Sequence, residues 1–212
     1  NIKKGVRNIN YEILVTDDAS TDKSVDLIEK FKIENPNIDI KIFRNEKNKG
    51  VGFNFYETAH KALGAYYMMV NGDAVDPPDE INKLVSNIGK ADMILSYLID
   101  KRGLFRKTLS RIFVLIINLI ILNNIKYYNG PNIYVLENVK LYSGGTSGFG
   151  YQAELITEQI RQQKTYIEIE IGPYAETSGT SQSLTLHSIL NVMVSIVSIF
   201  FKKIIYVAKK NL

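Results

Sequence analysis

Two periodicities alternate along the first hundred residues. Tyr11 to Thr16 (YEILVT) is a short β-rich run that ends abruptly at Asp17-Asp18-Ala-Ser-Thr-Asp22. Val25, Ile28 and Phe31 or Lys32 then fall at helical spacing, with Ser20 or Thr21 placed to cap that helix. Asn35-Pro36-Asn37 is a turn, Ile38 to Phe43 alternates as a strand, and Asn45 to Gly52 is a polar, glycine-containing loop. Phe55, Ala59 and Leu63 line one face of a helix that Gly64 closes. Tyr66 to Val70 reads as a buried strand running into an acidic loop with Asn71, Gly72, Asp73 and Asp76. Pro77-Pro78 opens a helix over Ile81 to Ile88, with Asp76 as its expected cap, and Ala91 to Leu98 is a further strand.

Strand, helix, strand, helix, strand at this spacing predicts right-handed crossovers and a mostly parallel α/β sheet. Ligands of such sheets bind beyond the carboxyl ends of the strands. Asp17-Asp18 and Asn71–Asp73 each follow a strand, so both are expected at one rim of the sheet, as parts of one site.

The pattern then changes. Lys101, Arg102, Arg106, Lys107 and Arg111 lead into an almost wholly apolar run from Ile112 to Leu122. That run is shorter than the roughly 20 residues a spanning helix needs. Lys107, Arg111 and Asn118 share a stripe, as on a helix lying in a membrane interface. Near the other end, Asn191, Ser195, Ser198 and Lys202 mark a polar stripe through the apolar stretch from Ile189 to Val207. Between these segments lie a turn-rich loop (127–132), a flexible one (144–150), and a helix with Phe149, Ala153, Ile156 and Ile160 on one face. A strand from Thr165 to Ile171 and a polar loop (173–183) follow. The expected organisation is a catalytic unit over 1–183, including an interface helix at about 104–124, and a membrane-associated helix over 184–212.

Composition narrows the function classes. The chain has 212 residues, 45% of them hydrophobic, enough for one domain with a substantial core. The net charge of +4 is too small to argue for nucleic acid. Without cysteine there are neither disulfides nor thiolate metal sites, and two distant histidines, His60 and His187, make a zinc site a poor expectation.

YEILVTDDASTD followed by NKGVGFNFYETAHKALGAYYMMVNGD resembles the nucleotide-binding half of a family-2 glycosyltransferase with the GT-A fold. The loop VNGDAVDPPDEI, Arg102 with Arg106, KYYNGPNIY, and GFGYQAELI before an EIEI strand and a GTS loop resemble its bacterial dolichol-phosphate mannosyltransferase-like group. The resemblance runs from Tyr11 to about Val194. It implies a hexosyltransferase that moves a sugar from a nucleoside-diphosphate sugar to a polyprenyl phosphate, on the cytoplasmic face of a membrane. Transfer to a glycan or glycolipid acceptor, and a catalytically weak nucleotide-sugar-binding module, stay open as alternatives.

The resemblance also distributes roles. Asp17 and Asp18 would accept N–H groups of a uracil or guanine ring, Asp18 foremost; a turn and helix cap is the plainer reading. Lys49 would reach the diphosphate, or simply be solvated. Asp73, with Asn71, would hold the diphosphate and an Mg²⁺ or Mn²⁺ ion, the usual device for a leaving diphosphate. The family has an aspartate where this chain has Asn71 and a metal-binding glutamine where it has Val75, so the metal site is weakened. Arg102, Arg106, Tyr128, Asn129 and Ser181 would serve the acceptor or its phosphate, against a purely structural turn at 128–129 and headgroup attraction for the arginines. Gln152 and Glu154 would point toward sugar and acceptor, or lie on a solvated face. Glu176 and Gln182 replace the family's cations in the acceptor loop. Family members open with a strand and a Pro-x-x-Asn-Glu-like turn that nothing before Tyr11 resembles. The chain therefore reads as a piece of a longer protein with an unpaired edge beside the 11–16 strand, and a homo-oligomer is among the expected partners.

Overall fold

The computed structural model describes residues 2–6, 9–72, 75–98, 104–172 and 186–210; within these, the side chains of residues 105, 106, 186–189 and 210 are not described. In chain order the elements are α1 (Ile2–Gly5), β1 (Glu12–Asp17), α2 (Ser24–Glu34), β2 (Asp39–Arg44), α3 (Val51–Lys61), β3 (Tyr66–Met68) and α4 (Pro78–Val85). Then come β4 (Met93–Leu98), α5 (Leu104–Ile121), β5 (Ile133–Val135), α6 (Leu136–Lys140), α7 (Tyr151–Arg161), β6 (Tyr166–Ile171) and α8 (Leu186–Lys210).

The strands fall into two groups. β1 and β2 pair in parallel, Glu12 opposite Asp39 and Asp17 opposite Arg44. The other four run in the order β3-β5-β4-β6. β4 and β6 are parallel, whereas β5 is antiparallel to both β3 and β4. This reversed strand escapes the periodicity because it holds three residues, too few to show a repeat.

Alternating side chains of the four-stranded sheet feed two cores. Tyr66, Met68, Ile94 and Ile133 pack under α4 together with Val6. Tyr67, Met93, Leu95 and Tyr134 pack on the opposite face with α3, α5, α6 and α7, and α8 contributes Ile199. Burying apolar surface at roughly 25 cal/mol per Å² is the main term holding these layers together.

Several local expectations need correction. Lys23 is the N-cap of α2 and no side chain caps it; Asp22 instead accepts the Ser24 amide at 2.9 Å. Gly64 does not close α3, which ends at Ala62, and Leu63 is 81% exposed instead of lining the helix. The N-cap of α4 is Pro77, one position after the expected Asp76, and it has no side-chain capping bond of its own. β3 spans only three half-buried residues.

The polar stripe of α8 faces inward. Ser195 is fully buried and shares a 3.0 Å hydrogen bond with Thr146, and the Lys202 ammonium lies 2.7 Å from the Tyr142 hydroxyl. Asn118 of α5 likewise turns inward, bonding both backbone groups of Ile125 and the Tyr128 hydroxyl. What both helices turn outward is apolar: Ile112, Leu115 and Leu119 on α5, and Phe200, Phe201, Ile204 and Ile205 on α8. The stretch Leu190–Lys209 is long and apolar enough to cross a membrane, and only 11% of it is buried.

Candidate functional site

A cavity of about 990 Å³ opens where β1 and β3 end. Its mouth is polar, formed by Asp18 after β1, Asn48 to Gly50 before α3, Asn71 and Gly72 after β3, Ser147 and Gly148 before α7, and Asn191 of α8. Asp18 and Asn71, fifty-three positions apart, thus share one rim, as expected of loops leaving parallel strands.

Asp18 organises this rim. Its Oδ1 accepts the Lys49 amide and the Asn45 side chain, both at 2.8 Å, and its Oδ2 accepts the Gly50 amide at 2.9 Å. Partial burial pushes this carboxyl up, but the bonds from Lys49, Asn45, Asn54 and Gly50 outweigh it and hold the group below the usual carboxylate range. A carboxylate offers about four lone-pair sites, so most of Asp18 is spent on fixing the 45–50 loop. Asp17 faces elsewhere: it is buried, accepts the Ser20 amide at 3.3 Å and lies 3.7 Å from the Arg44 guanidinium.

Two glycines make the loop contact. The Gly52 amide donates to the Ser147 carbonyl at 2.8 Å, and Gly50 adopts φ = 90° with the same carbonyl 2.5 Å from where a Cβ would stand. A side chain at either position would push the two mouth loops apart. Lys49 is exposed and sits 4.7 Å above the Phe53 ring, at the edge of the opening.

Asn71 is exposed, and its amide donates to the buried Asp76 carboxylate at 3.4 Å. Among the described residues no three metal-ligating side chains cluster. Asn71 alone of the expected pair is available there, because Asp73 lies outside the described residues. One neutral amide oxygen is a poor donor set for a divalent cation, which favours several charged oxygens. The described residues therefore do not by themselves fit the expected metal.

Gln152 and Glu154 are neither solvated nor in the cavity. Gln152 accepts Asn132 and Tyr134, both at 2.8 Å, and donates to the Gly130 carbonyl at 3.1 Å. Glu154 is 2% exposed, with the Tyr142 hydroxyl at 3.3 Å and the Lys202 ammonium at 3.7 Å. Burial lowers the Lys202 pKa, and the facing carboxylate opposes that shift. Tyr128 is fully buried, its hydroxyl donating to Asn118 at 2.7 Å, while Asn129 is exposed away from the mouth. His60 is exposed. Arg102, Ser181, Glu176 and Gln182 lie outside the described residues, as does the side chain of Arg106.

The structure thus gathers Asp18, Lys49 and Asn71, and adds Asn48, Ser147 and Asn191, which sequence reasoning missed. Asn191 had a visible signal in its polar stripe. The stripe gave no indication of which side it faced.

The chain matches the sequence profile described as glycosyl transferase family 2 over residues 3–153. It is 29% identical over 87 residues to the dolichol-phosphate mannosyltransferase of Pyrococcus furiosus, covering 41% of this chain and 24% of that protein. Over 70 residues it is 37% identical to the dolichyl N-acetyl-alpha-D-glucosaminyl phosphate 3-beta-D-2,3-diacetamido-2,3-dideoxy-beta-D-glucuronosyltransferase of Methanococcus voltae, covering 33% of this chain and 22% of that one. The matches span less than a quarter of either curated relative's length. Among solved structures it is similar to glucosyl-3-phosphoglycerate synthase from Mycobacterium tuberculosis in complex with Mn²⁺, UDP and glucosyl-3-phosphoglycerate, with a TM-score of 0.72 and 16% identity over 93% of this chain and 72% of that chain. The same enzyme with Mn²⁺, UDP-glucose and phosphoglyceric acid gives a TM-score of 0.72 over 94% of this chain. At that identity the likeness establishes the fold, GT-A.

Proposed function

The chain belongs to glycosyl transferase family 2, and from that premise we propose that it moves a sugar from a nucleoside diphosphate to the phosphate of a polyprenyl lipid at a membrane surface. The observation that carries this reading is the course of α8. Asn191 in its second turn lines the cavity mouth beside Asp18 and Asn71, while the rest of the helix runs on with Phe200, Phe201, Ile204 and Ile205 exposed. α5 packs against it and leaves Ile112, Leu115 and Leu119 exposed as well. An acceptor anchored by its lipid tail along these helices would present its phosphate at the donor site.

In the reaction a phosphate oxygen of the acceptor bonds to the anomeric carbon as the bond from that carbon to the diphosphate breaks. The nucleophile is already anionic, so positioning and stabilisation of the leaving charge are what the protein must supply. Asp18 positions the Lys49 loop through its backbone amides, and among the described residues lining the cavity Lys49 is the cation to meet the diphosphate. A divalent ion, where bound, would add charge neutralisation there.

The test is a transfer assay with radiolabelled UDP- and GDP-sugars offered to the full natural polypeptide. Short polyprenyl phosphates, a soluble glycan and 3-phosphoglycerate serve as parallel acceptors. Label is expected in the lipid-extractable fraction. Label confined to a soluble acceptor would overturn the lipid assignment, and no nucleotide-sugar turnover on any acceptor would overturn the transferase reading.

A further inference from the structure

A second, smaller cavity, of about 360 Å³, lies between the last turns of α7 and α8 and the Leu141–Gly144 segment that follows α6. Arg161 of α7 and Lys202 and Lys209 of α8 line it, together with the phenols of Tyr142 and Tyr206. It is separate from the polar mouth. Asn191, which lines the mouth, precedes Lys202 by eleven residues, roughly 16 Å along the helix.

The course of α8 puts this pocket at a boundary. Ser195 bonds Thr146, Ile199 sits in the core, Lys202 reaches Tyr142, and the Tyr206 ring lies 5.9 Å from the Arg161 guanidinium. The helix therefore stays against the body of the protein as far as Tyr206, and its outer side meets the surroundings sideways. The rim of the pocket belongs to that outer side. Leu141 and Ile205 line the opening and are 71% and 54% exposed, and Phe201 is exposed one turn before Ile205 on the same face.

The floor is polar and short of negative charge. The Lys202 ammonium donates to the Tyr142 hydroxyl at 2.7 Å, and that hydroxyl donates to the buried Glu154 at 3.3 Å. Gly144 leaves room for the ammonium, which lies 3.1 Å from where a Cβ would stand. Arg161 pairs with Glu158. Among the described residues lining the pocket, three cations thus face one carboxylate, and counting Glu154 behind Lys202 still leaves one positive charge in excess. Burial lowers the pKa of both Arg161 and Lys202, so an added anion would favour their charged forms. A guanidinium matches phosphate oxygens with two donors. A soluble anion would meet the cations and leave Leu141 and Ile205 in water, whereas a phosphate that carries acyl chains covers both. We propose that this pocket takes the headgroup phosphate of an anionic phospholipid, held by Arg161, Lys202 and Lys209, with the acyl chains along Leu141, Ile205 and Phe201. A basic pocket beside an apolar helix face is the arrangement that binds such headgroups. The proposal rests on α8 meeting a membrane, as in the reading above, and not on sugar transfer. A lipid fixed there would set which side of α8 faces the bilayer.

Calorimetric titration of the full natural polypeptide with dihexanoyl phosphatidylglycerol, below its micelle concentration, tests it. Binding is expected, and Lys209→Ala should weaken it roughly fivefold. Arg161→Gln should weaken it at least as much. Lys203→Ala removes the same charge from the same helix outside the pocket lining, and should change the affinity by less than about twofold. Flotation with phosphatidylcholine vesicles, with and without phosphatidylglycerol, should rank the variants in the same order. Equal losses for Lys203→Ala and Lys209→Ala would reduce the effect to general attraction and overturn the pocket. Inorganic phosphate binding as tightly as the short lipid would assign it to a soluble anion, and farnesyl phosphate binding more tightly would assign it to the acceptor; either result overturns the proposal. Equal flotation with neutral and anionic vesicles would overturn it too, while leaving the apolar contact of α8 with a membrane in place. None of these measurements depends on nucleotide-sugar turnover, so the pocket and the transferase reading fail separately.

Discussion

Tyr151 to Thr157 of α7 are all buried, although three of these seven residues are Gln152, Glu154 and Thr157. Alongside, α8 buries Ser195 and Ile199 but leaves Phe200, Phe201, Ile204 and Ile205 at the surface. The two neighbours invert the ordinary arrangement in opposite senses, and each inversion depends on the other. Two of these polar side chains are tolerated inside because they find partners, Gln152 from β5 and its preceding loop and Glu154 from Tyr142 and Lys202, whereas the buried side-chain amide of Gln159 has no hydrogen-bond partner among the described residues. By supplying Lys202, α8 turns its polar stripe toward the protein and its apolar side away. A contiguous exposed apolar surface of this kind marks a contact with another protein or a membrane. Periodicity reports that a helix has two sides; only the neighbours decide which side meets solvent.

The inner half of this contrast should respond most strongly to mutation. Gln152→Leu removes one bond each from Asn132 and the Gly130 carbonyl, which keep other partners, and takes from the buried Tyr134 hydroxyl the acceptor it donates to, at about 1–3 kcal/mol for a buried group left without a partner. A stability loss of about 3 kcal/mol is expected in urea unfolding; a loss below about 1 kcal/mol would show that the network contributes little. Next is the link between the helices. Lys202→Met leaves the Glu154 carboxylate buried without its cation and should cost about 2 kcal/mol, less than a fully enclosed pair because Lys202 is 32% exposed. Adding Glu154→Gln should recover most of that loss, and failure to do so would locate the cost in packing.

Asp18 gives a baseline whose hydrogen bonds run to the 45–50 loop and to neither helix. Its carboxyl is held below the usual range in the folded protein. Its stabilising contribution is therefore complete above the unfolded value of about 3.9 and vanishes as pH falls through the lower folded value. The melting-temperature gap between wild type and Asp18→Asn should be flat from pH 7 to about 5 and then narrow towards pH 3. A gap that widens with acid would contradict the assigned hydrogen bonds. On the outer side of α8, Phe200→Ser with Phe201→Ser should change stability least, within about 0.5 kcal/mol. Co-sedimentation with anionic liposomes should nevertheless fall several-fold. Unchanged sedimentation would leave that face to a protein partner.

How much could be read from residues alone follows the range of the interactions. The Tyr11–Asp18 strand and turn, the Asn71 loop and the long apolar helices announce themselves locally, and their order was enough to place Asp18 and Asn71 at one rim. Capture of the Asn45–Gly50 loop by Asp18, and of Leu63 and Gly64 by Glu12, spans 27 to 52 positions, and no local pattern encodes it. β5 was invisible because Ile133 to Val135 is too short for a period. Gln152 and Glu154 were candidates to meet sugar because the family resemblance puts a polar pair at these positions; their burial depends on partners that lie on other elements, which no local pattern encodes.

The Gly52 amide and the Ser147 carbonyl tie the two loops at the opening through main chain alone. The aperture is therefore set independently of the side chains that decorate it. If the opening is the donor site proposed above, Asn48, Lys49 and Ser147 are the side chains whose exchange would retune which sugar donor is admitted, with the frame around them left at its present width.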